Sequence, residues 1–203
     1  MELTLVRHGE TSWNSSRRFQ GRSDVPLSDR GREQALALAS ALAPQRFTHA
    51  YASDLMRARE TAGIIAAAQP PLTVTPEQRL REFDFGRWEG LTWAQIVERW
   101  PELLEREPTQ ARLYEPPGGE RFEAVVARVG AFLSDARALG DDANVLAVGH
   151  AGTLHAALAA LRPGGVDPLG VVFSTASFTR IAMEGEHARI ITLNDVHHLD
   201  STP

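Results

Sequence analysis

The chain has 203 residues, no cysteine and a formal net charge of −5, and all 21 of its basic residues are arginine. Without cysteine there are no disulfides, zinc thiolates or thiol nucleophiles, and without lysine there is no P-loop lysine or Schiff base. The acidic charge balance and the lack of a basic run with interleaved aromatic residues give no support to nucleic-acid binding.

Six short runs of β-type residues are predicted to be strands, at 3–6, 50–53, 72–74, 144–149, 177–183 and 188–193. The fourth run, NVLAVG, is apolar throughout, as strands of buried parallel sheets are. The last two runs flank Gly185 and are typical of an antiparallel pair.

Helical patterns alternate with these runs, over 31–43, after 53, after 92, after 119 and over 152–161. Ser28 and Ser53 are predicted to cap the first two helices, and Thr92 with Gln95 forms a capping-box pattern. The side chains expected to face the core include Leu36, Ala39 and Leu42 in the first helix and Leu55, Ala58, Ala62 and Ile65 in the second.

The alternation of strands and helices indicates an α/β fold. It predicts a three-layer α/β/α sandwich with a mostly parallel sheet and an antiparallel edge strand near the C-terminus. The chain shows no internal repeat, so a single domain over 1–203 is expected.

Two predicted strands end in a histidine beside a glycine. The run 3–6 leads into Arg7-His8-Gly9, and the run 144–149 ends at Gly149 and is followed by His150. The carboxyl ends of parallel strands are where open α/β sheets bind ligands. If the two strands are neighbours, the two histidines face each other across that edge.

Two further charged residues also follow predicted strands. Arg57 lies in the first turn of the helix after the second strand, and Glu82 lies in the loop after the third. All these connections open at the same edge of a parallel sheet, so Arg7, His8, Arg57, Glu82 and His150 are expected to converge. Two guanidinium groups beside two imidazoles need an anion, and a phosphoryl group suits the planar fork of arginine.

The sequence resembles the histidine phosphatase superfamily, the phosphoglycerate-mutase-like proteins. The resemblance covers nearly the whole chain in five ordered blocks: LVRHGETSWN, FQGRSDVPLSDRGREQA, SDLMRARETA, LREFDFGRWEG and VGHAGT.

This resemblance implies a role for each candidate. His8 is the expected nucleophile, forming a phosphohistidine, while Arg7, Arg57 and His150 form the phosphate pocket. Glu82 is expected to protonate the leaving alkoxide and then to help activate water. Arginine supplies the charge, so neither a metal nor a cofactor is expected. Further matching positions, which contact the phosphoryl group or the rest of the substrate, are Asn14, Gln20 and Gly21.

The resemblance also implies that residues from about 83 to 120 form a helical insertion that caps the site. The insertion carries candidate residues for the leaving-group pocket: Trp88, Trp93, Arg106, Arg112 and Tyr114.

Alternatives stay open for two of the candidates. The acid role has two competitors in the sequence, Glu77 and Glu89. The alternative for Arg57 is an ion pair on the helix surface with Glu60 or Asp54.

The expected function is metal-independent hydrolysis of small phosphate monoesters. FGRWEG resembles the phosphatase branch of the family, which includes broad-specificity acid phosphatases and α-ribazole phosphatases, and implies a histidine acid-type phosphatase. This resemblance and the short insertion favour a phosphatase over the first alternative, a cofactor-dependent phosphoglycerate mutase. A non-catalytic protein that binds a phosphorylated ligand is a second alternative. A metallohydrolase is a third, but the chain lacks clustered ligands, and the adjacent His197 and His198 rarely form a metal site alone.

The N-terminal run MELTLVRHGE contains charged residues too early for the apolar core of a signal peptide. No stretch approaches the ~18 uninterrupted apolar residues of a membrane-spanning helix. We therefore expect a cytoplasmic protein that does not bind membranes. The sequence does not indicate an oligomeric state.

Overall fold

A computed structural model describes residues 1–105, 115–164 and 166–200. The strands are β1 (Glu2–Arg7), β2 (His49–Ala52), β3 (Val74–Pro76), β4 (Asn144–Gly149), β5 (Phe178–Glu184) and β6 (His187–Asp195). The helices are α1 (Ser12–Ser15), α2 (Asp29–Leu42), α3 (Met56–Ala67), α4 (Trp93–Arg99), α5 (Phe122–Arg137) and α6 (Ala151–Leu161). Short 3₁₀ turns lie at Ala43–Gln45, Gln78–Leu80, Gly86–Trp88, Pro101–Glu105 and His197–Leu199.

The six strands form one mixed sheet in the order β3-β2-β4-β1-β5-β6. The first four strands of that order run parallel, whereas β5 is antiparallel to β1 and β6 is antiparallel to β5. The predicted fold class, a mostly parallel sheet with an antiparallel edge and helices on both sides, is confirmed.

Side chains that alternate along β4 place the core on both faces of the sheet. Leu146 and Val148 pack with α2 and α3, whereas Val145 and Ala147 pack with α5 and α6. Because successive side chains of a strand point to opposite faces, both faces need a covering layer. Burial on both sides also explains why this strand is apolar throughout.

A separate, smaller apolar cluster lies in the segment between β3 and α5. Its buried members are Trp88, Ile96 and Leu103, and Phe19 and Phe85 pack against it. The predicted capping box of Thr92 and Gln95 is confirmed at the start of α4. Of the expected leaving-group residues in this segment, Trp88 is buried, Trp93 is 37% exposed, and Arg106, Arg112 and Tyr114 lie outside the described residues.

The prediction that Ser53 caps the second long helix is wrong. Helix α3 begins at Met56 with Leu55 as its N-cap, and the Ser53 hydroxyl accepts from the N–H of Leu55, ahead of the helix. The carboxylate of Asp24 accepts from the Met56 N–H over 2.6 Å instead. A carboxylate from a distant loop thus satisfies the helix end, which local sequence rules do not reveal.

Two other sequence predictions need correction. Leu36 was expected in the core but is 59% exposed, because α2 turns Leu38 and Leu42 inward instead. The third strand lies at Val74–Pro76 rather than at 72–74, because the Leu72 N–H closes a turn on the Gln69 carbonyl.

Candidate active site

His8 and His150 follow the two central strands of the sheet at the point where each strand ends. In the parallel register of β1 and β4, Arg7 lies opposite Gly149, and the His8 N–H donates to the Gly149 carbonyl over 3.0 Å. The centroids of the two imidazole rings lie 5.0 Å apart. The rings face each other, as the sequence predicts for neighbouring strands.

The ring of His8 is held in one tautomer. Its Nδ1 lies 2.7 Å from the Gly9 carbonyl, and because a carbonyl only accepts, the ring proton is on Nδ1. The lone pair is then on Nε2, where the Nε–H of Arg57 donates to it over 3.3 Å. His8 is 2% exposed, so the neutral ring presents one nucleophilic nitrogen in a fixed direction.

Gly9 is required where the chain leaves β1. A Cβ at this position would collide with the carbonyl oxygen of Gly31 at the start of α2. The Gly9 N–H donates to the hydroxyl of Thr61 on α3 over 3.1 Å. Close packing against α2 and α3 thus sets the backbone that holds the His8 ring.

Arg57 is fully buried in the first turn of α3 and is held by the loop that follows α1. Its two terminal nitrogens donate to the carbonyls of Gly21 over 2.7 Å and Ser23 over 2.8 Å. Glu89 holds that loop, since its carboxylate accepts from the N–H groups of Arg22 and Ser23 and from the Ser23 hydroxyl. Glu89 therefore acts on the backbone of this loop and does not line the cavity.

The Glu82 carboxylate lies against the amino end of α6. Its Oε1 accepts from the Phe83 N–H over 2.8 Å and from the Gly152 N–H over 3.1 Å. A Cβ at Gly152 would collide with this oxygen, so the glycine after His150 lets the carboxylate approach the helix. The carboxyl group thus lies at the amino end of α6, which is the positive end of the helix dipole.

Arg128 on α5 holds the loop that carries Glu82. Its guanidinium donates to the carbonyls of Arg79, Arg81 and Glu82 at 2.6, 2.7 and 3.1 Å. It also pairs with the Glu120 carboxylate at 3.1 Å. A single side chain thereby binds three carbonyls of the loop that carries the carboxylate, and the sequence reading did not identify it.

Buried polar groups without a partner surround the Nε2 of His8. In the part of the chain that the structure describes, neither ring nitrogen of His150 has a hydrogen-bond partner, nor has the Nε of Arg7. The Nη1 of Arg7 donates to the Phe173 carbonyl over 2.6 Å, which orients the side chain. Buried polar groups in proteins nearly always have partners, so this arrangement suits a ligand with several acceptor oxygens.

The electrostatics of the cluster favour a neutral His8. Desolvation, followed by the positive charges of Arg57 and Arg7, holds the pKa of His8 well below its usual range. Desolvation and Arg57 do the same to the pKa of His150. Burial also lowers the pKa of Arg57 to about 10, despite the attraction of Glu82. Each of these groups is destabilised in its charged form, and a bound anion relieves that cost.

Asn14 and Gln20 are linked through Thr11. The Thr11 hydroxyl lies 3.0 Å from the amide oxygen of each, and the Thr11 N–H donates to Asn14. The Thr11 hydroxyl has one proton and can donate to one of the two oxygens at a time, and both amide side chains line the cavity. Gly21, the next predicted residue, has a φ of 54° and packs against Glu89 so closely that a Cβ would collide.

A cavity of about 220 Å³ brings most of the predicted residues together. Seven of the eight candidates line it, and the eighth, His150, is buried with its ring centroid 5.0 Å from that of His8. A larger cavity of about 620 Å³ lies at the amino ends of β2 and β3, and none of the candidates lines it. The smaller cavity also has five lining residues that sequence reasoning missed: Arg17, Arg18, Phe19, Phe85 and Ala151.

The residues that the sequence left as alternatives make contacts away from the cavity. Of the three competing acids, only Glu82 lines the cavity. Glu77, a competing acid, forms an ion pair with Arg79. Glu60 and Asp54, the alternative partners of Arg57, form ion pairs with Arg32 and Arg81.

No helix of the described residues is long and apolar enough to cross a membrane. The same residues hold no group of three or more histidine, aspartate or glutamate side chains arranged for a metal ion.

Comparison with known proteins gives one consistent result. The family model of the histidine phosphatase superfamily (branch 1) matches residues 3–196. Phosphoserine phosphatase 1 of Hydrogenobacter thermophilus is 36% identical over 203 residues, with 98% of this chain and 94% of that protein covered. Phosphoglycerate mutase-like protein 4 of Arabidopsis thaliana is 33% identical over 203 residues, with coverages of 99% and 88%. The solved structure of a mycobacterial glucosyl-3-phosphoglycerate phosphatase in complex with VO3 is 32% identical, with a TM-score of 0.85 and coverages of 95% and 98%.

An NMR titration can test the protonation states of His8 and His150. Because their pKa values are lowered, the rings of His8 and His150 should stay neutral as the pH falls from 8 to 5.5. The exposed His197, whose pKa is raised by Asp195, should gain its proton above pH 6.5 in the same experiment. The ring-proton shifts, assigned with single-histidine variants, measure this directly. A His8 midpoint at or above 6.5 contradicts the description of the cluster.

Proposed function

This chain belongs to the histidine phosphatase superfamily (branch 1), and within it we propose a phosphomonoester hydrolase that acts through a phosphohistidine on His8. One observation carries the proposal. The Nδ1–H of His8 is committed to the Gly9 carbonyl, so its Nε2 lone pair is directed at the buried guanidinium of Arg57. That guanidinium is where a phosphoryl oxygen would bind.

In the first step, the phosphoryl group of the ester binds among Arg7, Arg57 and His150. The Nε–H of Arg57 moves its hydrogen bond from the Nε2 of His8 to a phosphoryl oxygen. The freed lone pair attacks phosphorus in line with the ester oxygen, the N–P bond forms, and the P–O bond to the alcohol breaks. Glu82, in its carboxylic acid form, gives its proton to the departing oxygen. The guanidinium groups stabilise the charge on the equatorial oxygens without reorganising, because carbonyls already hold them in place.

In the second step, water attacks the phosphorus of phosphohistidine. The Glu82 carboxylate takes a proton from that water, the N–P bond breaks, and inorganic phosphate leaves with His8 restored to its neutral form. Glu82 returns to its acid form, so protons balance over the cycle. The two N–H groups at Oε1 and the clamp of Arg128 support this role, since they keep the carboxyl group in one place through both steps.

We propose that residues 83–120 cap the site within a single domain over 1–203. Phe85 belongs both to the small apolar cluster of that segment and to the cavity wall, which links the two. The relatives include a phosphoserine phosphatase and a mutase-like protein, so both activities are candidates. We favour the phosphatase because the described part of the cap contains only the seven-residue α4 and short 3₁₀ turns, interrupted by prolines at 101, 116 and 117.

Replacing the nucleophile tests the mechanism. His8→Ala should lower kcat for phosphate release by at least about 10³-fold, because no other group in the cavity replaces the Nε2 lone pair. Acid quenching is unsuitable for the intermediate, so the wild-type reaction should be quenched in base and the phosphorylated peptide mapped by mass spectrometry. The label should lie on His8 and be lost in acid. Near-normal turnover by His8→Ala in a folded protein contradicts the proposal.

The role of Glu82 is tested by the choice of leaving group. Glu82→Gln should slow the hydrolysis of an alkyl phosphate by about 10²–10⁴-fold, because the alkoxide needs a proton to leave. The same variant should slow p-nitrophenyl phosphate far less, because nitrophenolate leaves unprotonated. Glu77→Gln, on the other side of the loop, is the matched control and should affect neither substrate. Equal losses on the two substrates assign the acid role to another group.

A product assay separates phosphatase from mutase. Both activities begin with the same phosphohistidine, but a mutase must exclude water long enough to return the phosphoryl group to its intermediate. With 3-phosphoglycerate and a trace of 2,3-bisphosphoglycerate, phosphate should appear faster than 2-phosphoglycerate. Isomerisation that outruns phosphate release by more than about tenfold establishes the mutase instead.

A further inference from the structure

Glu120 lies where the two ends of the segment 83–120 meet. Its N–H donates to the Asp84 carbonyl over 2.9 Å, and its carboxylate accepts from the Asp84 N–H over 3.1 Å. A Cβ at the neighbouring Gly119 would collide with the same carbonyl of Asp84, so the two ends are in close contact. The base of the segment is therefore closed directly after Glu82, the residue that precedes it.

The carboxylate of Glu120 also fixes the guanidinium of Arg128. The Nε–H of Arg128 donates to one carboxylate oxygen and an Nη2–H donates to the other, each over 3.1 Å. The three remaining N–H donors bind carbonyls of the loop that leads to the acid, those of Arg79, Arg81 and Glu82. All five donors of the guanidinium are thus used. Because a bidentate carboxylate sets the plane of a guanidinium, Glu120 also sets the direction of the three donors that hold the loop.

Glu120 balances two positive charges. Besides its pair with Arg128, its carboxylate lies 3.0 Å from the Nη2 of Arg22. Burial raises the pKa of the Glu120 carboxyl, but the hydrogen bond and charge of Arg128, the Asp84 N–H and the charge of Arg22 outweigh burial, and the pKa is lowered overall. The carboxylate is therefore ionised at neutral pH and stays bound to both guanidinium groups.

The two guanidinium groups depend on Glu120 to different degrees. Arg22 also lies 3.3 Å from the carboxylate of Asp84, and its backbone N–H is held separately by Glu89. Arg128 contacts no other carboxylate among the residues that the structure describes. Removal of Glu120 therefore leaves the loop after α1 supported, whereas it leaves the guanidinium of Arg128 free to turn.

We propose that Glu120 is a positioning residue for proton transfer, because it orients Arg128 and Arg128 holds the loop that presents Glu82 to the leaving alcohol. This inference rests on the proposed function, which assigns the acid role to Glu82. Phe85, in the same segment, lines the cavity, and Glu120 closes the base of that segment. One carboxylate thus links a wall of the cavity to the position of the acid.

Removing the carboxylate should impair one kind of ester more than another. Glu120→Ala should lower kcat/KM for glycerol 3-phosphate by about 10- to 100-fold, the size expected when hydrogen bonds to a charged group are lost. For p-nitrophenyl phosphate the loss should not exceed about threefold, because nitrophenolate leaves without a proton. The measured quantity is kcat/KM, since it reports the step in which the alcohol leaves and not the hydrolysis of phosphohistidine.

A double variant separates positioning from a general loss of structure. In Glu82→Gln the proton donor is already absent, so adding Glu120→Ala should lower kcat/KM for glycerol 3-phosphate by no more than about threefold further. A purely structural role for Glu120 would instead make the two losses multiply.

Arg22→Ala is the matched control, since it removes the other guanidinium bound to Glu120 and leaves the pair with Arg128 in place. It should change the ratio of the two esters by less than about twofold, because a partly exposed ion pair contributes little. If thermal unfolding shows that Glu120→Ala is not folded, Glu120→Gln replaces it. That variant keeps the size of the side chain but only one acceptor oxygen, and it should show the same selectivity with a smaller loss.

Three results would overturn the assignment of Glu120. The first is an equal loss on both esters in Glu120→Ala, the second is no loss on either, and the third is a full additional loss in the Glu82→Gln background. If the wild type releases no phosphate, or if Glu82→Gln shows no selective loss on glycerol 3-phosphate, the proposed function fails by itself.

Hydrogen exchange then tests the positioning without turnover. The Phe83 N–H, which donates to the Glu82 carboxylate, should exchange about tenfold faster in Glu120→Ala than in the wild type. The His8 N–H, which donates to the Gly149 carbonyl within the sheet, should exchange at the same rate in both proteins. An unchanged rate at Phe83 shows that Glu120 does not hold the acid.

Discussion

The parallel pairing of β1 with β4 is the constraint on which the rest of the site depends. It sets Arg7 opposite Gly149, so the residues that follow, His8 and His150, leave the sheet side by side at its centre. A slip of one residue would turn every side chain of β1 to the other face, disrupting the packing on both faces of the sheet and separating the rings. The apolar faces of both strands therefore fix the histidine pair as firmly as they fix the fold.

Arginine holds the site together through main-chain carbonyls as much as through carboxylates. Arg57 binds two carbonyls of the loop after α1, and Arg128 binds three carbonyls of the loop that carries Glu82. A planar fork with five donors reaches several acceptors at once, whereas an ammonium group on a flexible stem does so with less definition. In a chain with no lysine, this side chain supplies both the scaffold of the site and its positive charge.

Burying several positive charges close together is energetically unfavourable, and this changes the protonation of the groups in the site. Burial and mutual repulsion lower the pKa of Arg57 to about 10 and hold the pKa values of both histidines low. The neutral ring of His8 keeps its lone pair, and the unpartnered nitrogens of His150 keep their hydrogen-bonding capacity for a ligand. The same unfavourable environment thus keeps the imidazole of His8 unprotonated and favours a bound anion, since an anion lowers the energy of the whole group.

The sequence by itself determined the fold class and placed His8 and His150 at the ends of two predicted strands, because strand ends, glycines and apolar runs are local features. The adjacency of those strands, and five of the residues that line the cavity, came only from the structure. The sequence did not determine which carboxylate serves the cavity. Glu77, Glu82 and Glu89 lie in one charged stretch, and only the packed structure assigns them, to Arg79, to the start of α6 and to the loop of Ser23. Nor did it reveal Arg128 or the cap of α3 by Asp24, because each joins segments that are far apart in the chain. Hydrogen bonds between distant segments depend on how the helices pack against the sheet, which is a property of the tertiary structure.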